Sequence, residues 1–176
     1  DRRTAVLIDR ESNVLRLSWQ GSQPELELVF KADAGFAVAA GGPNGQTLVT
    51  SDGHRVQLYT DGSDVPVRSW TSEAIVLDLA VSPDGRRVAA GLGSGEAVVW
   101  GVDQDAPLAI LVGHRERVSG VWFAPDGRQL VTGSWDETVR LWDMGTLDIP
   151  VSVLLQKVET RWGRTAEEML AETLHL

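Results

Sequence analysis

The sequence predicts an all-β fold built from tandem units of four short antiparallel strands. A turn tripeptide recurs about every 41 residues, apolar runs of four to seven residues lie between the turns, and an aromatic residue ends the third run of most units. Runs of this length, rich in Val, Leu and Ile and bounded by Gly, Pro, Asp or Asn, are typical of strands. A unit of this size cannot bury a core alone, so we expect neighbouring units to pack on one another.

The turn tripeptide sets the register of the repeat. It reads Pro-Asn-Gly at 43–45 and Pro-Asp-Gly at 83–85 and 125–127. Proline presets the backbone for the first turn position and glycine accepts a positive φ later, so each tripeptide predicts a tight turn. The second strands follow these turns and align as TLVTS (47–51), RVAAG (87–91) and QLVTG (129–133).

Third strands follow at an equally regular distance, and each is followed by a fourth apolar run. The third strands are RVQLY (55–59), EAVVW (96–100) and TVRLW (138–142), and the fourth runs lie at 26–30, 65–70, 107–112 and 149–155. TAVLID (4–9) and NVLRLSW (13–19) match a second and a third strand, so we expect the first unit to be incomplete. The predicted units span about 3–33, 34–73, 74–115 and 116–156.

The last unit carries the most specific pattern. From 113 to 143 it reads GHRERVSGVWFAPDGRQLVTGSWDETVRLWD, with Gly-His at its start and Trp-Asp at its end. Together with the period, this pattern resembles the WD-repeat β-propeller family over residues 3–155. The resemblance implies β-propeller blades of four antiparallel strands, about four of them with the first incomplete. Because fewer than four complete units are present and propellers of the resembled family most often close with about seven blades, we expect the C-terminal part of a larger propeller. The composition, rich in Ala, Gly, Arg and Val with very few Lys, indicates a bacterial-type protein.

The resemblance also implies a structural role for five polar or aromatic residues of the last blade. His114, Thr132 or Ser134, Asp136 and Trp142 would form one hydrogen-bonded chain that satisfies buried groups and fixes the turn geometry. A catalytic triad of His114, Asp136 and Ser134 is the alternative. We disfavour it because the blade itself requires the same three residue types. The positions that match Asp136 in the preceding blades are Gly53 and Ser94, so only the last blade is expected to carry the full chain.

The turns between second and third strands hold the candidate partner-binding residues. In the resembled family these turns emerge on a face commonly used for binding. The candidates are Asp52, His54, Ser94, Trp135 and Glu137. An exposed tryptophan is a good anchor for a protein partner. The alternative for Trp135 is local packing over its own turn.

Composition and spacing argue against several other functions. There are 25 acidic and 16 basic residues, which gives a net charge of −9 and disfavours nucleic acid or an anionic membrane as partner. There are no cysteines, no clustered metal ligands and no strand-to-helix phosphate loop, so we predict no metal, no cofactor and no catalytic residue. An enzyme site in a central channel is disfavoured because the inner strands contribute little beyond Asp78 and Arg117.

The predicted function is a non-catalytic protein–protein interaction scaffold or sensor in the cytoplasm. Its expected partners include the complementary blades, from another chain or a second copy. The alternative is the regulatory end of a multidomain bacterial signalling enzyme, an NTPase, kinase or protease, whose catalytic part is not in this chain. Residues 157–176 are predicted to form an extension with a short amphipathic helix, since Thr165 and Glu168 fit a capping box.

Overall fold

A computed structural model gives the fold of the chain. It describes residues 4–8, 13–20, 23–31, 38–42, 47–60, 63, 65–145 and 147. The chain divides into one unit of residues 1–143 and a second of residues 144–176. The second unit contributes only residues 144, 145 and 147 to the described part. The predicted strand at 149–155 and the predicted C-terminal helix therefore lie outside the described residues.

The described residues form strands in four antiparallel sheets, and within each sheet the strands are paired in chain order. Sheet 1 contains β1 (Thr4–Ile8), β2 (Asn13–Gln20) and β3 (Gln23–Lys31). Sheet 2 contains β4 (Val38–Gly41), β5 (Thr47–Ser51), β6 (Arg55–Thr60) and β7 (Arg68–Thr71). Sheet 3 contains β8 (Val76–Val81), β9 (Arg87–Leu92), β10 (Glu96–Gly101) and β11 (Pro107–Val112). Sheet 4 contains β12 (Val118–Phe123), β13 (Gln129–Ser134) and β14 (Val139–Asp143).

This architecture confirms the predicted all-β class with four-stranded antiparallel sheets. The first strands of sheets 2, 3 and 4 are neighbours, since β8 contacts both β4 and β12. Sheet 3 is thus covered on both faces, which is why every position of β9 is buried and why its sequence is apolar without strict alternation. No helix long and apolar enough to cross a membrane occurs in the part of the chain that the structure describes.

Aromatic packing joins sheets 2 and 3 near their outer strands. The rings of Trp70 and Trp100 stack with centroids 5.7 Å apart. The Trp70 indole N–H donates to the Gln104 carbonyl at 2.9 Å, and Arg68 forms an ion pair with Asp105. Because both tryptophans are buried, the junction buries a large apolar area and also gives the Trp70 N–H its acceptor.

Close backbone approach joins sheets 3 and 4. A Cβ atom at Gly91 would lie 2.7 Å from the Val118 carbonyl oxygen, so only glycine lets β12 pack this closely on β9. At the other end of the junction the buried Arg87 guanidinium donates to the Gly127 carbonyl at 2.9 Å. Its Cζ lies 5.8 Å from the centre of the Phe123 ring.

The opposite face of sheet 4 is apolar and exposed. In the β12–β13–β14 register, Trp122 lies opposite Val131 and Val131 opposite Leu141, so these three side chains share one face. Val139 lies two residues before Leu141 on the same face. Trp122, Val139 and Leu141 are all exposed. We call this surface the open face of sheet 4.

Candidate functional site

A chain of side-chain hydrogen bonds runs through the interior of sheet 4. The Trp142 indole N–H donates to Thr132 Oγ1 at 2.9 Å. Thr132 Oγ1 lies 2.8 Å from His114 Nε2, and His114 Nδ1 lies 3.0 Å from Asp136 Oδ2. The structure therefore brings together four of the residues that the sequence assigned to the structural chain. The His114 and Asp136 side chains are only 1% and 7% exposed.

The direction of these bonds follows from the donors available. Thr132 Oγ1 accepts from Trp142, so its own proton is available for His114 Nε2. The imidazole then carries its proton on Nδ1 and donates it to the Asp136 carboxylate. This tautomer is assigned from the hydrogen-bond network. Every donor in the chain meets an acceptor, and none of the fully buried side-chain nitrogen or oxygen atoms described lacks a partner.

Asp136 organises the turn between β13 and β14. Its carboxylate accepts the backbone amide of Arg115 at 2.9 Å and that of Thr138 at 3.0 Å. It also accepts the Thr138 hydroxyl at 2.6 Å. The hydroxyl of Thr138, the Arg115 amide and the His114 ring together hold the pKa of Asp136 well below its usual range. Sequence reasoning missed the Thr138 contact, although a turn aspartate commonly bonds to the backbone two residues further on.

Ser134 supports the same turn, but its hydroxyl proton is not donated to His114. Ser134 Oγ donates to the Glu116 carbonyl at 3.0 Å and accepts the Asp136 amide at 3.1 Å. In a Ser–His–Asp triad the serine hydroxyl would face the imidazole nitrogen that is remote from the aspartate. Here that nitrogen, Nε2, faces Thr132 instead. The Ser134 hydroxyl therefore stabilises the turn and is not placed to act as a nucleophile.

Trp135 projects from the turn that these bonds fix. Its side chain is 60% exposed, and the Arg117 guanidinium lies 4.3 Å from the ring centre, which is a cation–π contact. Its backbone amide donates to the Arg117 carbonyl at 3.1 Å. Glu137, two residues on, has a φ of 65°, a left-handed conformation that is uncommon outside glycine. Neither Arg117 stacking nor this backbone conformation was predicted from the sequence.

The other candidate residues lie in the equivalent turns of sheets 2 and 3. Asp52 accepts the Arg55 amide at 3.0 Å, and His54 Nδ1 lies 3.2 Å from the Ser72 carbonyl oxygen. Ser94 donates to Glu96 at 3.3 Å. Because each sheet is an antiparallel meander, these three turns lie at the same end of their sheets. The five candidate residues are thus distributed along one end of three consecutive sheets.

Loops between sheets connect these turns into a continuous surface. The Gly53 carbonyl accepts the Val76 amide at 2.6 Å, so the β5–β6 turn meets the start of sheet 3. A Cβ atom at Gly95 would lie 3.0 Å from the Glu116 carbonyl oxygen, so the β9–β10 turn meets the loop before sheet 4. We call this end of sheets 2 to 4 the turn surface.

Asp78 and Arg117, the charged residues that an enzyme site in a central channel would have used, form other contacts. Asp78 accepts the Val121 amide at 2.8 Å, and Arg117 stacks on Trp135. Among the residues that the structure describes, no three His, Asp or Glu side chains are grouped to hold a metal ion.

Stacked four-stranded meanders with a buried His–Thr–Trp–Asp chain define a blade-type repeat protein. Comparison with known families gives the same class: residues 64–101 and 105–143 match the family described as WD domain, G-beta repeat. Each match contains the outermost strand of one sheet and three strands of the next. These two WD40 repeats support membership of a WD-repeat family.

Curated relatives point in the same direction. The chain is 35% identical over 104 residues to guanine nucleotide-binding protein subunit beta-5b of Danio rerio, a match that covers 57% of this chain and 26% of that protein. It is 45% identical over 67 residues to a periodic tryptophan protein 2 homolog of Neurospora crassa, covering 38% of this chain and 8% of that protein.

A third relative is the ribosome biogenesis protein WDR12 homolog of Drosophila erecta, which is 34% identical over 95 residues, 45% of this chain and 22% of that protein. The matches thus span about a quarter or less of these relatives. All three come from eukaryotes, so the bacterial origin stays a prediction.

Proposed function

We propose that the chain is a non-catalytic protein-interaction scaffold that binds its partner through the turn surface. The observation that carries this proposal is the exposed Trp135 ring on a turn held by Asp136, Ser134 and Arg117. A large aromatic group loses little conformational freedom on binding when its backbone is already fixed. Tryptophan and arginine are also the residues that most often dominate the binding energy of protein interfaces.

The relatives support a binding role rather than a reaction. One of them is named as a subunit of a guanine nucleotide-binding protein, and a subunit associates with other proteins. In this chain the residues best suited to chemistry, His114, Asp136 and Ser134, have their hydrogen bonds directed into the turn.

The proposal is tested by selecting binders from a phage-displayed random peptide library on the full chain. Peptides that recognise the turn surface are expected to lose at least about tenfold in affinity for Trp135→Ala, as for a tryptophan hot spot. Trp122→Ala is the matched control, since it removes a similarly exposed tryptophan from the open face of sheet 4. Equal binding to Trp135→Ala, or a large drop in its melting temperature, would contradict the assignment of Trp135 as a binding anchor.

We also propose that the open face of sheet 4 receives a complementary blade. The supporting observation is the repeat itself, because the equivalent face is covered in sheets 2 and 3. On sheet 3 that face carries Ala97, which packs in one cluster with Val118 and Val121 of sheet 4. Exposed apolar patches that are this contiguous mark interaction sites.

The side chains of the open face specify what its partner must look like. Trp122 takes the place of Ala80 in the repeat, and its ring lies over Gly120, where an added Cβ atom would overlap it. A partner strand packed like β12 would meet this ring, so it must carry small residues where β12 carries Val118 and Val121. The complementary blade is therefore not interchangeable with sheet 4 itself.

Native and denaturing mass measurements on protein from its source organism distinguish the origins of such a blade. A doubled native mass with one denatured species of 19.1 kDa indicates a second copy. A second denatured species with its own four-strand repeat indicates another chain. Leu141→Arg should dissociate either assembly, since it places a charge in the buried interface. A single denatured species heavier than 19.1 kDa indicates a blade supplied by the same polypeptide, and an unassociated species of 19.1 kDa would contradict the proposal.

A further inference from the structure

The inner edges of sheets 3 and 4 present backbone amides that strand pairing does not use. Amides on one strand of an antiparallel ladder point alternately toward and away from the neighbouring strand. The Ala124 amide donates to the Gln129 carbonyl next to β13, so the amide of Val121, three residues earlier, points away from β13. The same argument from the Ser82–Arg87 bond places the Leu79 amide on the inner edge of β8.

One carboxylate accepts the edge amide of the neighbouring sheet. Asp78 Oδ2 accepts the Val121 amide at 2.8 Å, and the adjacent Leu79 amide helps to lower the pKa of the Asp78 carboxyl. Leu79 and Val121 occupy the same position in consecutive repeats. Asp78 on β8 is therefore hydrogen-bonded to the inner edge of β12.

The strands packed against β8 carry few charged groups that could pair with Asp78. β8 contacts β4, β5, β9 and β12, and the only charged side chain on those four strands is Arg87, whose guanidinium reaches the Gly127 carbonyl. Burial raises the pKa of the Asp78 carboxyl, and the two amides partly offset that rise. A half-buried carboxylate with one amide hydrogen bond and no cation beside it on these described strands is retained at some free-energy cost.

The position is specific to sheet 3. The matching residues are Val38 in sheet 2 and Gly120 in sheet 4, neither of which carries a side-chain acceptor. The sheet 2–3 junction is instead held by stacked tryptophans. The sheet 3–4 junction lacks such a stack in the described residues, and a hydrogen-bonded link at its inner edge replaces it.

We propose that Asp78 is a positioning residue that clamps the inner edge of β12 onto β8. The clamp fixes the distance between the two inner strands and thereby sets sheet 4 relative to sheet 3. It acts whether or not the turn surface binds a partner. Asp78 thus has a defined role although it lies on the strand where a channel enzyme would have placed a catalytic acid.

Amide hydrogen exchange of the 176-residue chain tests the clamp. Asp78→Ala removes the acceptor, so exchange at Val121 is expected to quicken by at least about tenfold, as for loss of a charge-assisted hydrogen bond. Asp78→Asn keeps a carbonyl acceptor and should restore most of the protection. Asp126→Ala is the matched control, since it removes an exposed carboxylate that accepts the Arg128 amide within its own turn.

Unchanged Val121 exchange in a folded Asp78→Ala variant would overturn the proposal, as would equal quickening in Asp126→Ala. If Asp78→Ala does not fold, a titration of the wild-type chain decides. The Val121 and Leu79 amide proton shifts are expected to follow the protonation of Asp78 together, and this response should vanish in Asp78→Asn. A Leu79 response without a Val121 response would also overturn the clamp.

Discussion

Sheets 3 and 4 are consecutive copies of one repeat, yet they are stabilised differently. Sheet 3 is packed on both faces, and its middle strands are almost entirely buried. Among the described residues, the one side-chain hydrogen bond of its turn between β9 and β10 joins Ser94 and Glu96. Sheet 4 is packed on one face, and β14 is largely exposed. Its equivalent turn is held by the chain from Trp142 to Asp136.

We interpret the difference as compensation between packing and polar bonding within the repeat. A blade that is covered on both sides is held by the apolar area that it buries. A blade with one open face loses part of that area and depends on side-chain hydrogen bonds that lock its own strands and turn. Each prediction below changes one sheet and uses the other as its control.

The largest effect is expected from a charge placed on the face that is buried in sheet 3 and open in sheet 4. Val99 of sheet 3 is 0% exposed and the matching Leu141 of sheet 4 is 62% exposed. Val99→Lys should lower the free energy of unfolding by about 4 kcal/mol or more, since it buries an unpaired charge. Leu141→Lys should change it by less than about 0.5 kcal/mol. Urea unfolding measures both, and similar losses in the two variants would show that the open face is covered in the isolated chain.

The next effect separates the two turns. Thr132→Val keeps the side-chain shape but removes the interior partner of His114 Nε2 and of the Trp142 indole N–H. We expect a loss of about 2–4 kcal/mol in unfolding free energy, because buried unsatisfied groups are costly. Ser94→Ala in sheet 3 should cost less than about 0.5 kcal/mol. Equal stability of the two variants would mean that the polar chain contributes little to sheet 4.

Lowering the pH should decrease the stability contributed by Asp136 of sheet 4 and increase the stability linked to Asp78 of sheet 3. The pKa of Asp136 is lowered in the folded chain, so its contribution to stability is present above its ordinary value of 3.8 and is lost as the pH falls below it. The pKa of Asp78 is raised by burial, so stability linked to this group increases as the pH falls from above 3.8 toward that value.

Thermal unfolding between pH 3 and 7 of Asp136→Asn and Asp78→Asn checks these signs. Relative to the wild-type chain, Asp136→Asn should lose stability mainly at neutral pH and differ less in acid. The stability of Asp78→Asn relative to that of the wild-type chain should be highest at neutral pH. The same sign of pH dependence in both variants would contradict the assigned environments.

The smallest effect concerns the backbone of the turns. Glu137 has a φ of 65° where the repeat has Gly95 with a φ of 95°. Glu137→Gly should raise the free energy of unfolding by up to about 1 kcal/mol, since a left-handed conformation is strained outside glycine. Gly95→Ala should lower it, because the new Cβ atom would lie against the Glu116 carbonyl. A loss of stability in Glu137→Gly would show that the Glu137 side chain outweighs its backbone strain.

Most of the strand pattern could be predicted because turn chemistry fixes the register. In sheet 3 the predicted runs at 87–91, 96–100 and 107–112 differ by at most one residue at each end from β9, β10 and β11. The run at 65–70 was less accurate, since β7 begins only at Arg68. Pro66 has no amide to give to a strand ladder, so regular pairing starts after it.

The candidate site was only partly predictable. The Gly-His and Trp-Asp dipeptides indicated His114, Asp136 and Trp142, because these residue types recur together in the resembled family. Nothing in the sequence distinguished Asp78 from an ordinary polar residue on a strand, since its role depends on an amide 43 residues away. The stacking of Arg117 on Trp135 likewise depends on a contact between separate loops.

The one-strand offset between the matched repeats and the sheets has a consequence for how such a chain can be lengthened or cut. A cut between residues 101 and 105, at the repeat boundary, separates β10 from its partner β11. A cut between Thr71 and Val76 leaves both sheets whole. A gene duplication that copies one repeat therefore inserts a strand into an existing sheet and begins a new one. Each added copy therefore shares one sheet with the copy before it and one sheet with the copy after it.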